Sequence, residues 1–401
     1  MKIKVLLYSH DWFPIVGGIQ AVTLSLATGL ARWGETHEGE SVEVTFVTQT
    51  PANGMDDSAF PFRVLRRPSL RRLIALFRWA DIIDLAGPSL IPLALVWILG
   101  KQTVLEHHGY QAVCPNGILV FEPAHAVCPG HFMAGRYLEC IRCNKREMGL
   151  LASIRSLLLT FPRRWLAQRV TVNVGVSPYV AQRVALPRTI TIWNGVPAAN
   201  PADEPILSPG WHPTCFAYLG RLVTEKGLPV LLRASRDLLS SGHDFQLRIV
   251  GDGPERSNLE NLAQECGLSG HIEFVGSVPA YDVPRVLQGV AAVVMPSVCE
   301  DVAPLAAMEQ MMAGRLLIAS DIGGLGLVVD GLGLKFPPGD ARALASCMRQ
   351  VLDYPSRAIA LGKSGRPRAL QMFTQDRMVE EHVRLYCELH GEMTQRKSPQ
   401  T

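Results

Sequence analysis

The sequence predicts an α/β fold of two doubly wound, Rossmann-like domains. Three observations carry this. Short apolar runs of strand length alternate with helix-length amphipathic stretches, with glycine-rich turns between them. The 401 residues are more than a single core normally holds. The alternation also stops once, at the proline-rich polar stretch VPAANPADEPILSPGWHP, and then starts again. The expected organisation is a first domain at 1–196 with a cysteine-containing insertion at 107–148, a linker at 197–212, a second domain at 213–375, and a C-terminal helix and tail at 376–401.

The first strand is 2–9; its apolar run is too short for a signal peptide, and no small-residue cleavage site follows. It leads through HDWFPIVGGIQ to a helix at 21–33. A strand–glycine loop–helix unit presents backbone N–H groups to phosphate, and Gly17 and Gly18 permit close approach; a plain turn is the alternative. Residues 41–48 are the second strand. Residues 60–85 carry Arg63, Arg66, Arg67, Arg71, Arg72 and Arg78 among Leu and Phe, either a basic amphipathic surface or an ordinary solvated face. The apolar stretch 85–99 is broken by Gly87, Pro88 and Pro92, falls short of a membrane span, and reads as a core helix. The strand at 101–106 delivers His107, His108 and Gly109 to its carboxyl end, where open α/β sheets bind ligands, and this singles out His108.

The insertion holds Cys114, Cys128, Cys140 and Cys143, the last two as C-x-x-C. Four thiolates with one close pair can hold a tetrahedral structural zinc, with His125 and His131 as substitute ligands; buried free cysteines are the other reading. Residues 149–169 form a basic, apolar helix. The strand 170–176 ends at Ser177–Pro178, a helix cap with proline in the first turn. The strand 189–193 closes this half and ends in Asn194–Gly195.

The second series begins at Cys215. FAYLGRLVTEKG puts Arg221 and Lys226 at the carboxyl end of a strand, where an arginine fork and a lysine point charge suit a diphosphate; two solvated loop charges are the alternative. The strand 246–250 runs into GDGPE, which is no dinucleotide fingerprint, because Arg256 stands where the third glycine belongs. Residues 272–275 lead into GSVP. The run 290–295 reads as a buried parallel strand, and Pro304 then opens a helix, apolar on nearly every face, that stops at Gly314. Glu309 and Gln310 are the only polar side chains of that helix, so a buried Glu309 must be paired or serve a ligand. Glu300 and Asp301 lie just before the helix start. Phosphate at the helix N-terminus and hydroxyls on the carboxylates are what a sugar nucleotide supplies. Residues 315–320 and DIGGLG follow, helices dominate from Asp340, and the tail beyond Met393 reads as frayed.

Nine cysteines without a secretion signal indicate reduced thiols in the cytosol. The net charge of +3 hides an asymmetry: residues 1–200 hold 20 Lys+Arg against 13 Asp+Glu, a net +7 that leaves −4 for the remainder. The basic half suits an anionic membrane leaflet or a phosphorylated acceptor. No basic stripe interleaved with aromatics argues for nucleic acid.

GGIQ, HGY at His108, SPYV and NGV, GRLVTEKG, GDGP and the acidic element ending at Glu309 with its following Gly-Gly, in this order and spacing, resemble family 4 of the retaining glycosyltransferases. The resemblance implies the GT-B fold: two Rossmann-like domains facing a central cleft, 1–196 binding the acceptor, 213–375 binding a nucleotide-sugar donor, and the C-terminal helix packing back on the first domain. It implies that Arg221 and Lys226 bind the donor diphosphate and that Glu309 binds the ribose hydroxyls. Asp301 takes the place of a glutamate that contacts the transferred sugar, and Glu300 beside it is kept as a second candidate. His108 bonds the donor sugar from the acceptor side, Gly17 and Gly18 line the cleft, and Gly220, Val278, Pro304 and Leu305 complete the donor site, with the base recognised by backbone around 277–279. Leu327 departs from the family pattern, where many relatives carry Glu. The cysteine insertion resembles one found in a subset of the family.

The expected activity is retaining transfer of a hexosyl group from a nucleotide diphosphate sugar to a hydroxyl of a saccharide or lipid-linked acceptor in cell-surface polysaccharide biosynthesis. The enzyme is expected in the cytoplasm, peripheral on the inner face of the plasma membrane. The absence of a D-x-D triplet points to metal-independent chemistry with no catalytic cofactor. Two other readings compete: a sugar-nucleotide epimerase of the same fold, and a non-catalytic nucleotide-sugar-binding subunit.

Overall fold

The computed structural model describes residues 2–15, 17–124, 126–198 and 214–397. The chain divides into two compact units. One is formed by Met1–Ala124, Cys128–Pro197 and Phe373–Thr401, the other chiefly by Ala198–Met372. Residues 199–212 of the expected linker lie outside the described residues.

The first unit holds a seven-stranded sheet ordered Arg63–Arg66, Ser41–Thr48, Lys2–Ser9, Ile82–Leu85, Gln102–His107, Val172–Gly175, Thr189–Thr191. Every neighbouring pair is parallel. Parallel strands are covered on both faces, which is why Val5, Leu6, Phe46, Ile82, Ile83, Val104 and Leu105 are fully buried. The order reverses between Lys2–Ser9 and Ile82–Leu85, so the ligand-binding crevice of this sheet opens beyond the carboxyl ends of those two strands. Two strands here were not expected. Residues 60–85, read as one basic segment, fold into strand Arg63–Arg66, helix Leu70–Trp79 and strand Ile82–Leu85. Arg66 faces inward, paired with Asp57 at 2.8 Å and donating to the carbonyl of Phe13, while Arg63, Arg67, Arg71, Arg72 and Arg78 stay exposed.

The second unit repeats the pattern with six parallel strands ordered Ile272–Gly276, Phe245–Val250, Thr214–Leu219, Val290–Met295, Leu316–Ser320, Leu334–Phe336. Its reversal lies between Thr214–Leu219 and Val290–Met295. The helix Ala341–Asp353 shows how its covering layer forms. Asp340 caps it by accepting from the Ala343 N–H at 2.9 Å, and Leu344, Cys347, Met348 and Val351 fall on one buried stripe.

The C-terminal helix Gln375–Lys397 belongs to the first unit and packs along Gly18–Thr36. The NGV motif is its seat: Val196 donates to Phe373 and accepts from Gln375, both at 2.9 Å, and the Gly195 N–H donates to Met378 Sδ at 3.0 Å. The helix runs on past Met393, where a frayed tail was expected. Helix Gly18–Thr36 begins three residues earlier than its apolar pattern suggested, with Gly17 extended at its N-cap. Among the described residues no helix is long and apolar enough to cross a membrane.

Candidate active site

At the reversal of the second sheet, the loop after Thr214–Leu219 and the loop after Val290–Met295 meet. Gly227, at φ +67°, sits so tightly on Pro296 that a Cβ would run into the proline carbonyl oxygen. The Val298 N–H donates to the Glu225 carbonyl at 3.0 Å beside it. This contact brings Lys226 Nζ to 2.5 Å from Asp301 Oδ1, and Ser297 Oγ donates to the other carboxylate oxygen at 2.6 Å. Burial works against the lysine's charge, but the attraction of Asp301 outweighs it and raises the Lys226 pKa, so Lys226 is a fixed cation.

Arg221 is exposed in the same loop, and its carbonyl accepts the Tyr218 hydroxyl at 2.7 Å. The GRL and GDG turns are stitched together: Gly220 donates to Val250 at 3.0 Å and Leu222 to Asp252 at 2.9 Å. The Gly-Gly that follows strand Leu316–Ser320 is the seat of the acidic loop. The Gly324 N–H donates to the Asp301 carbonyl at 2.7 Å, and a Cβ on Gly324 would collide with the carbonyl oxygen of Val302.

Pro304 precedes helix Leu305–Met312, whose first turn has no side-chain cap, and Glu309 lies one turn in. The expectation of a buried Glu309 needs correction. Its side chain is exposed, although enough protein surrounds it to push its carboxyl up to about 7 by desolvation. Direct exposure decides whether a ligand can reach it, and a ligand can. Gln310 is the residue of this helix that is buried, bonded through its carbonyl oxygen to Arg315 at 2.9 Å. Of the two acidic candidates before the helix, Glu300 is buried, and both oxygens of Asp301 are taken by Lys226 and Ser297. Gly220, Arg221, Lys226, Glu300, Asp301, Pro304, Leu305 and Glu309 thus gather at the carboxyl end of one sheet, where Val278 also follows its strand.

His108, Gly17 and Gly18 belong to the first unit. His108 ends a buried chain of titratable side chains. Its Nε2 lies 2.6 Å from Glu106 Oε2, and Glu106 Oε1 lies 2.8 Å from His382 Nε2 on the C-terminal helix. His382 Nδ1 reaches the Met378 carbonyl at 2.7 Å, and Tyr386 donates to Asp84 at 2.5 Å. Burial raises Asp84 well above its ordinary value, helped by the charge of Glu106. Burial opposes the charge of Glu106 too, but bonds and charge from His108 and His382 hold its carboxyl far below the usual range. For His382 burial is likewise overridden, by Glu106 and then Asp84, and the pKa rises to about 9. Glu106 stands on the strand two residues before His108, which lies just past the strand's end, and this i, i+2 spacing is the signal that points to it. Nothing local points to His382.

His108 also lines a pocket of about 330 Å³ at the reversal of the first sheet, with Asp11, Gln20, Ser89, Gln111 and Arg163. Hydroxyl-accepting and donating groups surround it, the furnishing a polyol needs.

Cys114, Cys128, Cys140 and Cys143 are buried and free of disulfides. Burial, then the neighbouring sulfurs, push Cys140 up to about 12. Cys143 Sγ accepts the Glu122 N–H at 3.4 Å. Among the described residues, candidate ligand atoms of Asp84, Glu106 and His382 lie within 4.8 Å of one another. Within the trio Glu106 and His382 are hydrogen-bonded to each other, while Asp84 accepts from Tyr386 outside it. His131 packs edge-on against Phe121 at 4.9 Å, and His125 lies outside the described residues.

Residues 210–368 match the family described as glycosyl transferases group 1. Over 156 residues the chain is 34% identical to the 2-deoxystreptamine glucosyltransferase of Streptomyces kanamyceticus, covering 38% of this chain and 39% of that protein. The first curated relatives are matched over 39%, 45% and 40% of their length, less than half in each case. A longer match, 25% identical over 90% of this chain and 92% of the relative, joins it to a GDP-mannose-dependent phosphatidylinositol monomannoside mannosyltransferase of Corynebacterium glutamicum. Among solved structures, sucrose-phosphate synthase from Thermosynechococcus elongatus superposes with a TM-score of 0.71 at 20% identity, over 97% of this chain and all of that one. HepE from Anabaena in complex with UDP-glucose superposes with a TM-score of 0.69 at 14% identity, over 96% of this chain and all of that one. These likenesses show the fold: an α/β chain with two Rossmann-like sheets, of the GT-B class.

Proposed function

We propose that this chain is a retaining glycosyltransferase that moves a hexosyl group from a nucleotide diphosphate sugar to a hydroxyl of a saccharide or lipid-linked acceptor. The observation that carries the reading is the Lys226–Asp301 pair beside exposed Arg221, at the switch point of the sheet whose residues match group 1 glycosyl transferases. That the family match, residues 210–368, falls on the unit bearing those cations supports a donor site there, and a relative named as GDP-mannose-dependent, matched over 90% of this chain, supports a nucleotide-sugar donor.

In this reading Arg221 and Lys226 neutralise the diphosphate as it leaves, aided by the N-terminal end of helix Leu305–Met312, which no side chain caps. Lys226 is held in place by Asp301, so no reorganisation is needed when charge develops on the leaving group. Glu309, open to solvent, accepts hydrogen bonds from the ribose hydroxyls in its ionised form. Glu300 and Asp301 are the candidates for the hydroxyls of the transferred sugar, Gly220, Val278, Pro304 and Leu305 offer backbone, and Gly17 and Gly18 keep the first unit's loop low beside its pocket. His108, with Glu106 behind it, bonds a sugar hydroxyl, and the acceptor occupies the pocket it lines. The acceptor hydroxyl attacks on the face the diphosphate leaves, a phosphate oxygen takes its proton, and no cofactor takes part. Work on cell-surface polysaccharide at the cytoplasmic face of the membrane accords with the basic first 200 residues.

The test is thermal unfolding with UDP, GDP, ADP and CDP in turn, with and without chelator. One nucleotide should stabilise the protein, by about 2.7 kcal/mol at a hundredfold excess over its Kd, with chelator present. The shift should vanish in Lys226→Ala. No shift with any nucleotide removes the donor site from the second unit.

A further inference from the structure

The first unit carries an apolar surface that its own core does not use. On helix Leu150–Ala167, Ser153, Leu157 and Thr160 face inward, while Leu151, Leu158, Phe161 and Trp165 are exposed, Leu151 by 84% and Leu158 by 60%. Positions 151, 155, 158, 162 and 165 follow helical spacing along one line, so Arg155 stands in the same stripe as the apolar residues, and Arg169, just past the helix end, joins it by lying over Trp165. Helix Leu90–Leu99, expected in the core, instead leaves Trp97 53% and Ile98 68% exposed. The two faces are continuous, because Trp97 and Trp165 meet edge to face at 5.2 Å. A groove of about 570 Å³ walled by Phe132, Met133, Tyr137, Phe161 and Trp165 extends the surface. Soluble proteins rarely leave so many large apolar side chains on adjoining helices uncovered.

We propose that this face is a membrane-docking surface that lies on an anionic lipid bilayer. Three features select lipid over a protein partner. The apolar residues are interleaved with arginines and no exposed carboxylate lies in the stripe, which complements phosphate headgroups. Arg169 stacks on Trp165 at 3.6 Å, placing an indole and a guanidinium together, the pairing suited to the headgroup level. The neighbouring helix Leu70–Trp79 adds exposed Arg71, Arg72 and Arg78 and no acid. The helices lie on the surface rather than through the membrane, since none of those described is long and apolar enough to cross. The proposal does not depend on the transfer reaction.

The experiment is flotation of the full chain with vesicles of phosphatidylcholine alone or with phosphatidylglycerol added, without donor or acceptor. The protein should float with the anionic vesicles, and raising the salt should release part of it. The tryptophan emission should be quenched by brominated acyl chains. Leu151→Asp with Leu158→Asp should weaken binding by roughly tenfold or more, because both side chains are already solvated and their loss leaves the fold intact. Arg155→Glu with Arg169→Glu should do the same. Circular dichroism and the nucleotide shift verify that each variant is folded. Failure of the wild type to float, or flotation unchanged in the folded leucine variant, overturns the proposal. A dimer in lipid-free solution that the leucine variant dissociates also overturns it, by assigning the face to a second copy.

Discussion

Glu309 gains its meaning from the contrast between its neighbours and its exposure. Gln310 and Met311 are buried beside it, while its own carboxyl stays in water with a pKa near 7. A group raised to that value is half protonated at neutral pH, and only the ionised form accepts two hydroxyls. Affinity for the nucleotide should therefore tighten between pH 6 and 8 in calorimetric titration, and Glu309→Gln should bind more weakly with no such slope. Gly324 makes a second prediction at this scale. Gly324→Ala forces the acidic loop away from its seat, so turnover should fall by roughly tenfold to a hundredfold and unfolding by denaturant should show a loss of about 1–3 kcal/mol. The residues of this site were legible because each obeys a short-range rule: a cation at a strand end, a proline at a helix start, a glycine pair where backbone must approach backbone. The exposure of Glu309 was not legible, since an apolar helix in sequence does not say which of its faces opens on a cleft. Glu106 was half legible, through its two-residue spacing from His108, and His382 not at all.

The C-terminal helix Gln375–Lys397 is the element that binds the first unit's ends together. Its His382 shares Glu106 with His108, and its Tyr386 donates to one oxygen of Asp84. His382 titrates near 6.5 when unfolded and about 9 when folded. Its contribution to stability is therefore complete below about pH 6.5 and is lost as the pH rises toward 9. Chemical denaturation at a series of pH values should show this decline in the wild type and a flatter profile in His382→Gln. His382→Phe leaves buried Glu106 short of a partner and should cost about 3 kcal/mol or more in the same experiment, with a fall in kcat that exceeds any rise in KM, because His108 loses its fixed orientation. At this scale the long strands and the capped helices were legible in the sequence. Strands Arg63–Arg66 and Ile82–Leu85 escaped because four residues show too little alternation, and the arginines around them match an amphipathic helix as well. The apolar composition of Leu90–Leu99 pointed to the core because hydrophobicity alone cannot separate a face packed on protein from one left bare.

At the level of the whole molecule, the match to group 1 glycosyl transferases falls on the second unit, and the exposed apolar face falls on the first. Hydrogen exchange should report this division. The stabilising nucleotide should protect amides within Ala198–Met372, chiefly the loops at Gly220–Gly227 and 296–304, and change those of helix Leu150–Ala167 little; anionic vesicles should do the reverse. The two-sheet plan was legible because the βα alternation is long and interrupted once. The return of the last helix rests on pairings across the full chain, of which only the NGV motif left a trace. That return sets the order of events during synthesis. Glu106 leaves the ribosome 276 residues before His382 does. At a rate of roughly 5–20 residues per second, the first unit waits about 15 to 55 seconds for the part that completes it, while the whole of the second unit emerges and folds. The nascent chain is thus assembled from the middle outward in time, and its first-made part is the last to close.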